Sequence, residues 1–334
     1  MRLRRPLVGA TAALAALTLA ACGSSEPGAT GSSPAADDDT TTVVASTNVY
    51  GAIAQAVGGE GVTVESIISD PTADPHSYES TPADAATVSD GDIVILNGGG
   101  YDEFMPQLLA ATGGSPTVID VAELSGLVPA EAAGGEHAGE EEHAGEEHAG
   151  EDEHAHGEFN EHFWYDLATV QEVATRLAAE LGTLDPAGAA DYTANAEAFV
   201  AEIAILQERV AAIGPSVPGS RVAVTEPIPA YLVEDAGLAD ATPPEFSEAV
   251  EEDTDPPAAV VAQMLALFAP DAEPIRALIL NSQTQTPTTE QVRQAAEAGG
   301  VPVVEMSETL PEGTDYLSWM GSQVDALSAA LNPV

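Results

Sequence analysis

Short runs of β-branched residues alternate with helical segments through most of the chain, and this alternation strongly restricts the possible folds. The first set of runs reads TTVVAST, VTVESIIS, DIVILNG and TVIDV, and a second set reads RVAVTE, RALILN and VPVVEM. Helical segments such as Val49 to Val57 separate most neighbouring runs. Strands that alternate with helices are typical of parallel sheets. The pattern therefore predicts an α/β fold of two lobes, each with a parallel sheet flanked by helices.

One long helical segment separates the two sets of strands. It follows Pro186 and stops at Gly214 and Pro215. Its apolar residues recur at helical spacing, at Ala198, Val200, Ile203, Leu206, Val210 and Ile213. A helix of more than about 20 residues extends about 30 Å, the width of a small domain. We therefore predict a rigid helix at 191–213 that joins an N-terminal lobe at 41–190 to a C-terminal lobe at 214–334.

The N-terminus has the pattern of a bacterial lipoprotein leader. Arginines precede an apolar run from Leu7 to Ala21, and the small residues before Cys22 match the lipobox, in which the cysteine is lipidated. The run is too short for a comfortable membrane span. We expect a signal peptide at 1–21, lipidation at Cys22 and a flexible tether at 22–40, with the protein anchored outside the cytoplasm at the outer face of the cell membrane. A secretory signal with an incidental cysteine is the alternative.

The charge of the chain is strongly negative. The chain has eight Lys and Arg residues and 55 Asp and Glu residues, which gives a formal net charge of −47. Such a surface repels nucleic acid and attracts cations, so we expect no nucleic-acid partner. The only cysteine is Cys22, and its lipidation would leave no thiolate for metal binding or catalysis.

A repetitive segment rich in histidine and acid interrupts the N-terminal lobe at 131–158. It lacks helical periodicity, and we expect a disordered, solvated insertion. Imidazole and carboxylate both bind metal ions, so the segment is a candidate auxiliary metal-binding loop. A merely solubilising loop is the alternative. The five histidines of the insertion are His137, His143, His148, His154 and His156.

Two further histidines occupy distinct positions. His76 follows a strand and a proline, in a loop at the carboxyl end of the first sheet, where open α/β sheets bind ligands. His162 follows the insertion and precedes three aromatic residues, 163–165, which we expect in the core or the wall of a cleft. Asp166 is expected to cap the helix that begins at Leu167.

Two places in the C-terminal lobe carry candidate carboxylates. Glu226 ends the strand RVAVTE beside a proline-rich loop, where a partly desolvated carboxylate needs a cation or a proton. Glu305 and Glu308 follow the last strand. Each of these acids on its own is compatible with an ordinary solvated side chain.

Taken together, these segments resemble a known family. PHSYESTPAD, NGGGYDEF, EHFWYD, the long helix, VTEPIPAYL and TDYLSWM are similar to the metal-binding solute-binding proteins of ABC importers, the zinc and manganese group called cluster A-I. The resemblance runs from about Thr41 to the C-terminus. It implies two lobes joined by one rigid helix, with a metal ion held in the cleft between them by two ligands from each lobe.

The resemblance also implies the ligands. His76 and His162 match the ligands of the first lobe. Glu226 stands where zinc-type members have a histidine and manganese-type members often have a carboxylate. Glu308 falls roughly where the family has an aspartate. Glu305 is the alternative for the fourth ligand. The expected role is a monomeric, non-enzymatic receptor that delivers the ion to a permease and its ATPase, which are separate chains.

The residues leave the identity of the metal open. Carboxylates favour manganese or iron, whereas the histidine-rich insertion and the general order of metal affinity favour zinc. We predict Zn²⁺, with Mn²⁺ or Fe²⁺ as the alternative. A metal buffer that acts through the loop alone and a secreted metallohydrolase are two other hypotheses, and the chain contains no HExxH helix to support the second.

Overall fold

Two four-stranded parallel sheets, each flanked by helices, form the protein, as the alternating pattern predicts. The structure is a computed structural model and describes residues 40–128 and 159–332. The leader, Cys22 and the five histidines of the insertion lie outside these residues, so the expectations for them stay predictions.

The first lobe begins with a strand and ends with a long helix. Its sheet has the strand order β2-β1-β3-β4, and every neighbouring pair is parallel. The strands are β1 Thr41–Thr47, β2 Val62–Ile68, β3 Ile93–Leu96 and β4 Thr117–Asp120. The helices are α1 Asn48–Gly58, α2 Pro82–Asp90, α3 Phe104–Thr112, α4 Val121–Ser125 and α5 Leu167–Leu184.

The second lobe follows α6, Ala189–Ala211, and repeats the same topology. Its order is β6-β5-β7-β8, again parallel throughout. The strands are β5 Arg221–Val224, β6 Ala239–Asp240, β7 Ile275–Asn281 and β8 Val303–Met306. The helices are α7 Ile213–Ser216, α8 Ala230–Asp235, α9 Pro244–Glu251, α10 Ala258–Ala266, α11 Pro287–Ala298 and α12 Tyr316–Leu331.

The predicted linking helix is present as α6, displaced by two residues towards the N-terminus. Its buried stripe differs partly from the predicted one, because Ala198 is exposed while Phe199 beside it is buried. The buried residues follow alternating steps of four and three, which keep one face of a 3.6-residue helix inside: Tyr192, Ala196, Phe199, Ile203, Leu206 and Val210.

One apolar core is continuous across both lobes. It includes Val43 and Ile95 of the first sheet, Ile203 of α6, and Val222 and Ile279 of the second sheet. Smaller clusters cover the outer face of each sheet. Because close-packed interiors resist deformation, this shared core limits movement between the lobes.

The strand order determines where loops converge. In each sheet the first strand in sequence has the second on one side and the third on the other, which creates a switch point at the carboxyl edge, where such sheets bind ligands. The loops after β2, β3, β5, β7 and β8 leave from these edges. Across the described ranges, no helix is both long and apolar enough to cross a membrane.

Candidate metal centre

His76 and His162 come together from two separate loops of the first lobe. The centroids of their rings are 6.1 Å apart. His76 lies in the loop between β2 and α2, where its backbone N–H donates to the carboxylate of Asp74 over 3.0 Å. His162 immediately precedes a short 3₁₀ turn of three fully buried aromatic residues, 163–165, and is itself fully buried. The aromatic run therefore anchors the chain after the insertion, as expected.

Hydrogen bonds orient the ring of His162. Its Nδ1 lies 2.6 Å from Oδ1 of Asn160, and the amide group of Asn160 donates to the carbonyl of Pro227 over 2.7 Å. The amide oxygen therefore faces the ring, so Nδ1 carries the proton and Nε2 presents its lone pair. Burial, and secondarily the charge of His76, lowers the pKa of His162 well below its ordinary value of 6.5. The neutral tautomer with a free Nε2 is the form that binds metal ions.

A glycine-rich turn after β3 positions an aromatic wall. Gly98, Gly99 and Gly100 all have positive φ, and a Cβ at Gly98 would lie 2.4 Å from Oδ1 of Asp120. This turn places the ring of Tyr101 edge-on against His76, with the centroids 4.9 Å apart. The Tyr101 hydroxyl donates to Oε2 of Glu308 over 3.1 Å, a contact between the lobes.

Two carboxylates of the second lobe are held by one amide. Asn281, the last residue of β7, donates from Nδ2 to Oε2 of Glu226 over 2.7 Å and to Oε1 of Glu308 over 2.8 Å. The hydroxyl of Thr284 donates to the other oxygen of Glu226. Glu226 and Glu308 are both buried, whereas Glu305 is exposed. The loop after β8 therefore directs Glu308, and not Glu305, into the cleft.

A third carboxylate, Glu251, meets the histidines and was missed by the sequence analysis. It is the last residue of α9, and its Oε1 lies 3.3 Å from Nε2 of His162 and 3.7 Å from Nε2 of His76. Oε2 of Glu308 lies 3.6 Å from the same His76 nitrogen. In the sequence, Glu251 is one of several acids in EAVEEDTD, and nothing local distinguishes it from its neighbours.

These separations match the space around one metal ion. His76, His162 and Glu251 each offer a ligand atom, and the three atoms lie within 4.8 Å of one another. Bonds of about 2.1 Å in a tetrahedral arrangement would separate neighbouring ligand atoms by about 3.4 Å. The observed nitrogen-to-oxygen distances of 3.3, 3.6 and 3.7 Å lie close to that value.

Negative charge accumulates in this cleft. Burial is the main cause of a raised pKa at four glutamates. The pKa rises to about 8 at Glu161 and Glu308 and to about 7 at Glu226, and it lies well above the ordinary value at Glu251. Repulsion from neighbouring carboxylates adds to the effect at all four. Glu161 also faces the second ring nitrogen of His76, with 3.5 Å between Nδ1 and Oε1.

No basic side chain balances this charge within residues 40–128 and 159–332. Four of the five arginines there pair with acids elsewhere, namely Glu180, Asp325, Glu273 and the pair Glu290 and Glu297. Arg276 donates to the carbonyl of Leu331, and the chain has no lysine. Buried carboxylates without a basic partner require protons or a metal ion.

The structure thus groups His76, His162, Glu251 and Glu308 directly, and ties Glu226 to Glu308 through Asn281. The ligand assignments for His76, His162, Glu226 and Glu308 remain predictions. The sequence indicated Glu226 and Glu308 as candidates because both follow strands. Glu251 ends a helix, so only the packing of α9 brings it here.

Comparison with known proteins identifies the family to which the chain belongs. The profile of the family described as "ZnuA: Zinc-uptake complex component A periplasmic" matches residues 43–330. The manganese-binding lipoprotein MntA of Halalkalibacterium halodurans is 27% identical over 194 residues, which are 58% of this chain and 54% of the relative. The high-affinity zinc uptake protein ZnuA of Paracoccus denitrificans is 31% identical over 203 residues, 57% of this chain and 62% of the relative. The chain thus spans between half and two thirds of these curated relatives.

Solved structures share the fold over a greater length. The periplasmic zinc-binding protein TroA of Treponema pallidum superposes with a TM-score of 0.67 and 20% sequence identity. The match covers 87% of this chain and 99% of TroA. The two-lobed architecture described above is therefore a known fold.

Proposed function

We propose that this chain, which belongs to the zinc-uptake complex component A family, is an extracytoplasmic receptor that captures a divalent transition-metal ion and delivers it to an ABC-type importer. The observation that carries the proposal is the convergence of two histidines, the buried Glu226 and Glu308, and the largely buried side chain of Glu251 in a cleft without an arginine among the described residues. An ion of charge +2 is the cargo that this environment stabilises.

The site has the properties of a carrier and not of a catalyst. His76 and His162 come from the first lobe, while Glu226, Glu251 and Glu308 come from the second. A ligand set of this size surrounds an ion, whereas catalytic zinc sites keep one position open for water or substrate. Catalysis by a metal-activated water is therefore disfavoured.

Zinc is the proposed cargo, and manganese is the second candidate. Two imidazoles, together with the general order of affinity for nitrogen and oxygen ligands, favour zinc over manganese. The excess of carboxylates is the specific observation that favours manganese or iron. Relatives of both types occur, since the MntA relative is named for manganese and the ZnuA relative for zinc.

Delivery requires partners that are separate from this chain. We propose a permease and its ATPase, with the receptor held at the outer face of the cell membrane through lipidated Cys22. The core shared by both lobes leaves room only for small rearrangements. Release would therefore follow when docking to the permease loosens the ligands of one lobe, because a partner shifts a conformational equilibrium only by binding one state more tightly.

The test is competitive titration of zinc and manganese into metal-free protein, with the stoichiometry determined by mass spectrometry. We expect one tight zinc site that a large excess of manganese does not empty, and a loss of at least about 100-fold in affinity in His162→Ala. Glu305→Gln, which changes an exposed acid near the cleft, is the matched control and should bind as wild type does. Unchanged zinc affinity in both variants would refute the receptor hypothesis, and equal affinity for manganese would make manganese the cargo.

A further inference from the structure

Glu251 differs from the other acids of its segment. Glu252 and Asp253 directly after it are exposed, whereas the side chain of Glu251 is only 9% exposed. Helix α9 causes the difference, because Phe246 and Val250 pack into the apolar cluster on the outer face of the second sheet and fix the direction of the last turn. The carboxylate of Glu251 is thereby directed at the histidines of the other lobe.

The surroundings of this carboxylate lack a stabilising group within the described part of the chain. Oε2 of Glu251 is buried and forms no hydrogen bond there, and Nε2 of His162, which faces Oε1 over 3.3 Å, forms none either. A carboxylate at the C-terminus of a helix also meets the negative end of the helix dipole. A metal ion between Glu251 and His162 would satisfy both of these groups at once.

Glu251 is also held differently from the other two carboxylates of its lobe. Asn281 and Thr284 bind both oxygens of Glu226, and Asn281 and Tyr101 bind both oxygens of Glu308. These bonds fix the orientation of both carboxylates. Within residues 40–128 and 159–332 no such bonds hold Glu251, so its position depends on the packing of α9 and on its contacts with the two histidines.

We propose that Glu251 is a metal ligand carried by α9 and that it controls how fast the bound ion leaves. This inference rests on the proposed receptor function. A ligand attached to a helix outside the shared core can withdraw without separating the lobes, whereas withdrawal of Glu226 or Glu308 would break the hydrogen bonds at Asn281. Movement of α9 is therefore the smallest change that opens the coordination shell.

The test compares Glu251→Gln with Glu252→Gln in the full-length protein. Each variant receives less than one equivalent of zinc, so that the tight site fills first, and release to an excess of chelator is followed by stopped-flow fluorescence. We expect Glu251→Gln to release zinc at least about tenfold faster than wild type, and Glu252→Gln to match wild type. X-ray absorption should show one oxygen or nitrogen neighbour fewer around zinc in Glu251→Gln.

Controls separate this inference from the receptor function. If wild type binds zinc tightly, His162→Ala does not, and Glu251→Gln releases zinc at the wild-type rate, then the inference is wrong and the receptor function stands. If His162→Ala binds as wild type does, the receptor function itself fails. Should Glu251→Gln misfold by circular dichroism, Glu251→Asp retains the charge but shortens the side chain, and a wild-type release rate in that variant would also overturn the inference.

Discussion

The burial of Glu308 predicts that the metal-free protein loses stability as the pH rises. Glu308 is fully buried, and desolvation, followed by the charges of Glu226 and Asp74, raises its pKa from 4.5 to about 8. Between these values the folded state holds a proton that the unfolded state has released. The unfolded state therefore binds fewer protons, and the free energy of unfolding falls with increasing pH across this window.

The size of the effect follows from the shift. A difference of about 3.5 units at about 1.36 kcal/mol per unit corresponds to about 5 kcal/mol between pH 4.5 and pH 8. Glu308→Gln removes the titrating group and keeps a similar shape. We expect this variant to match wild type near pH 4.5 and to exceed its free energy of unfolding by up to about 5 kcal/mol near pH 8.

Denaturant unfolding of metal-free protein from pH 4.5 to pH 8.5 measures this difference. Glu305→Gln, an exposed substitution three residues away, controls for the loss of one negative charge from a chain of net charge −47. Zinc should restore the stability of wild type at pH 8 more than that of Glu308→Gln. Parallel curves for wild type and Glu308→Gln across the whole pH range would refute the reasoning.

Three further predictions concern the same cleft. Asn281→Ala removes the amide that holds Glu226 and Glu308, so zinc affinity should fall about 10- to 100-fold in competition titrations. The control is Gln285→Ala, which removes an exposed amide nearby. Equal zinc affinities in the two variants would contradict the positioning role of Asn281. Zinc binding should release protons from the carboxylates, and more of them at pH 6.5 than at pH 9. Calorimetry in buffers of different ionisation enthalpy measures the number of protons released. Equal numbers at the two pH values would count against protonated carboxylates in the metal-free site. Deletion of residues 131–158 should leave one tight zinc site, and loss of that site would favour the metal-buffer hypothesis.

The architecture was accessible from local sequence because its signals are local. All seven predicted strands are present, and Asp166 caps α5 by accepting from the backbone N–H groups of Ala168 and Thr169 over 3.3 and 3.1 Å. The strand that was missed, β6, has only two residues, Ala239 and Asp240, both exposed. It lacks the β-branched, buried character that makes a strand detectable. The length of α6 was also predictable, since a helical repeat over 23 residues is a strong signal.

The candidate site also combines residues with a local sequence signal and residues without one. Glu226 and Glu308 were identifiable from the sequence because the carboxyl ends of parallel strands converge on one edge of a sheet, which makes position in the chain informative. Glu305, expected after the last strand, lies within β8, whereas Glu308 lies in the loop after it, and only the structure separates the exposed Glu305 from the buried Glu308.

Glu251 marks the limit of what the sequence determined. The sequence by itself established the two α/β lobes, the helix between them and the two histidines of the first lobe as candidate ligands. Only the tertiary structure brought Glu251 to within 3.3 Å of His162, from the segment EAVEEDTD, which contains four other acids. Strands and helices arise from periodicity within one segment, so the sequence reveals them. The coordination of an ion depends instead on distances between segments that are remote in sequence and are brought together by packing.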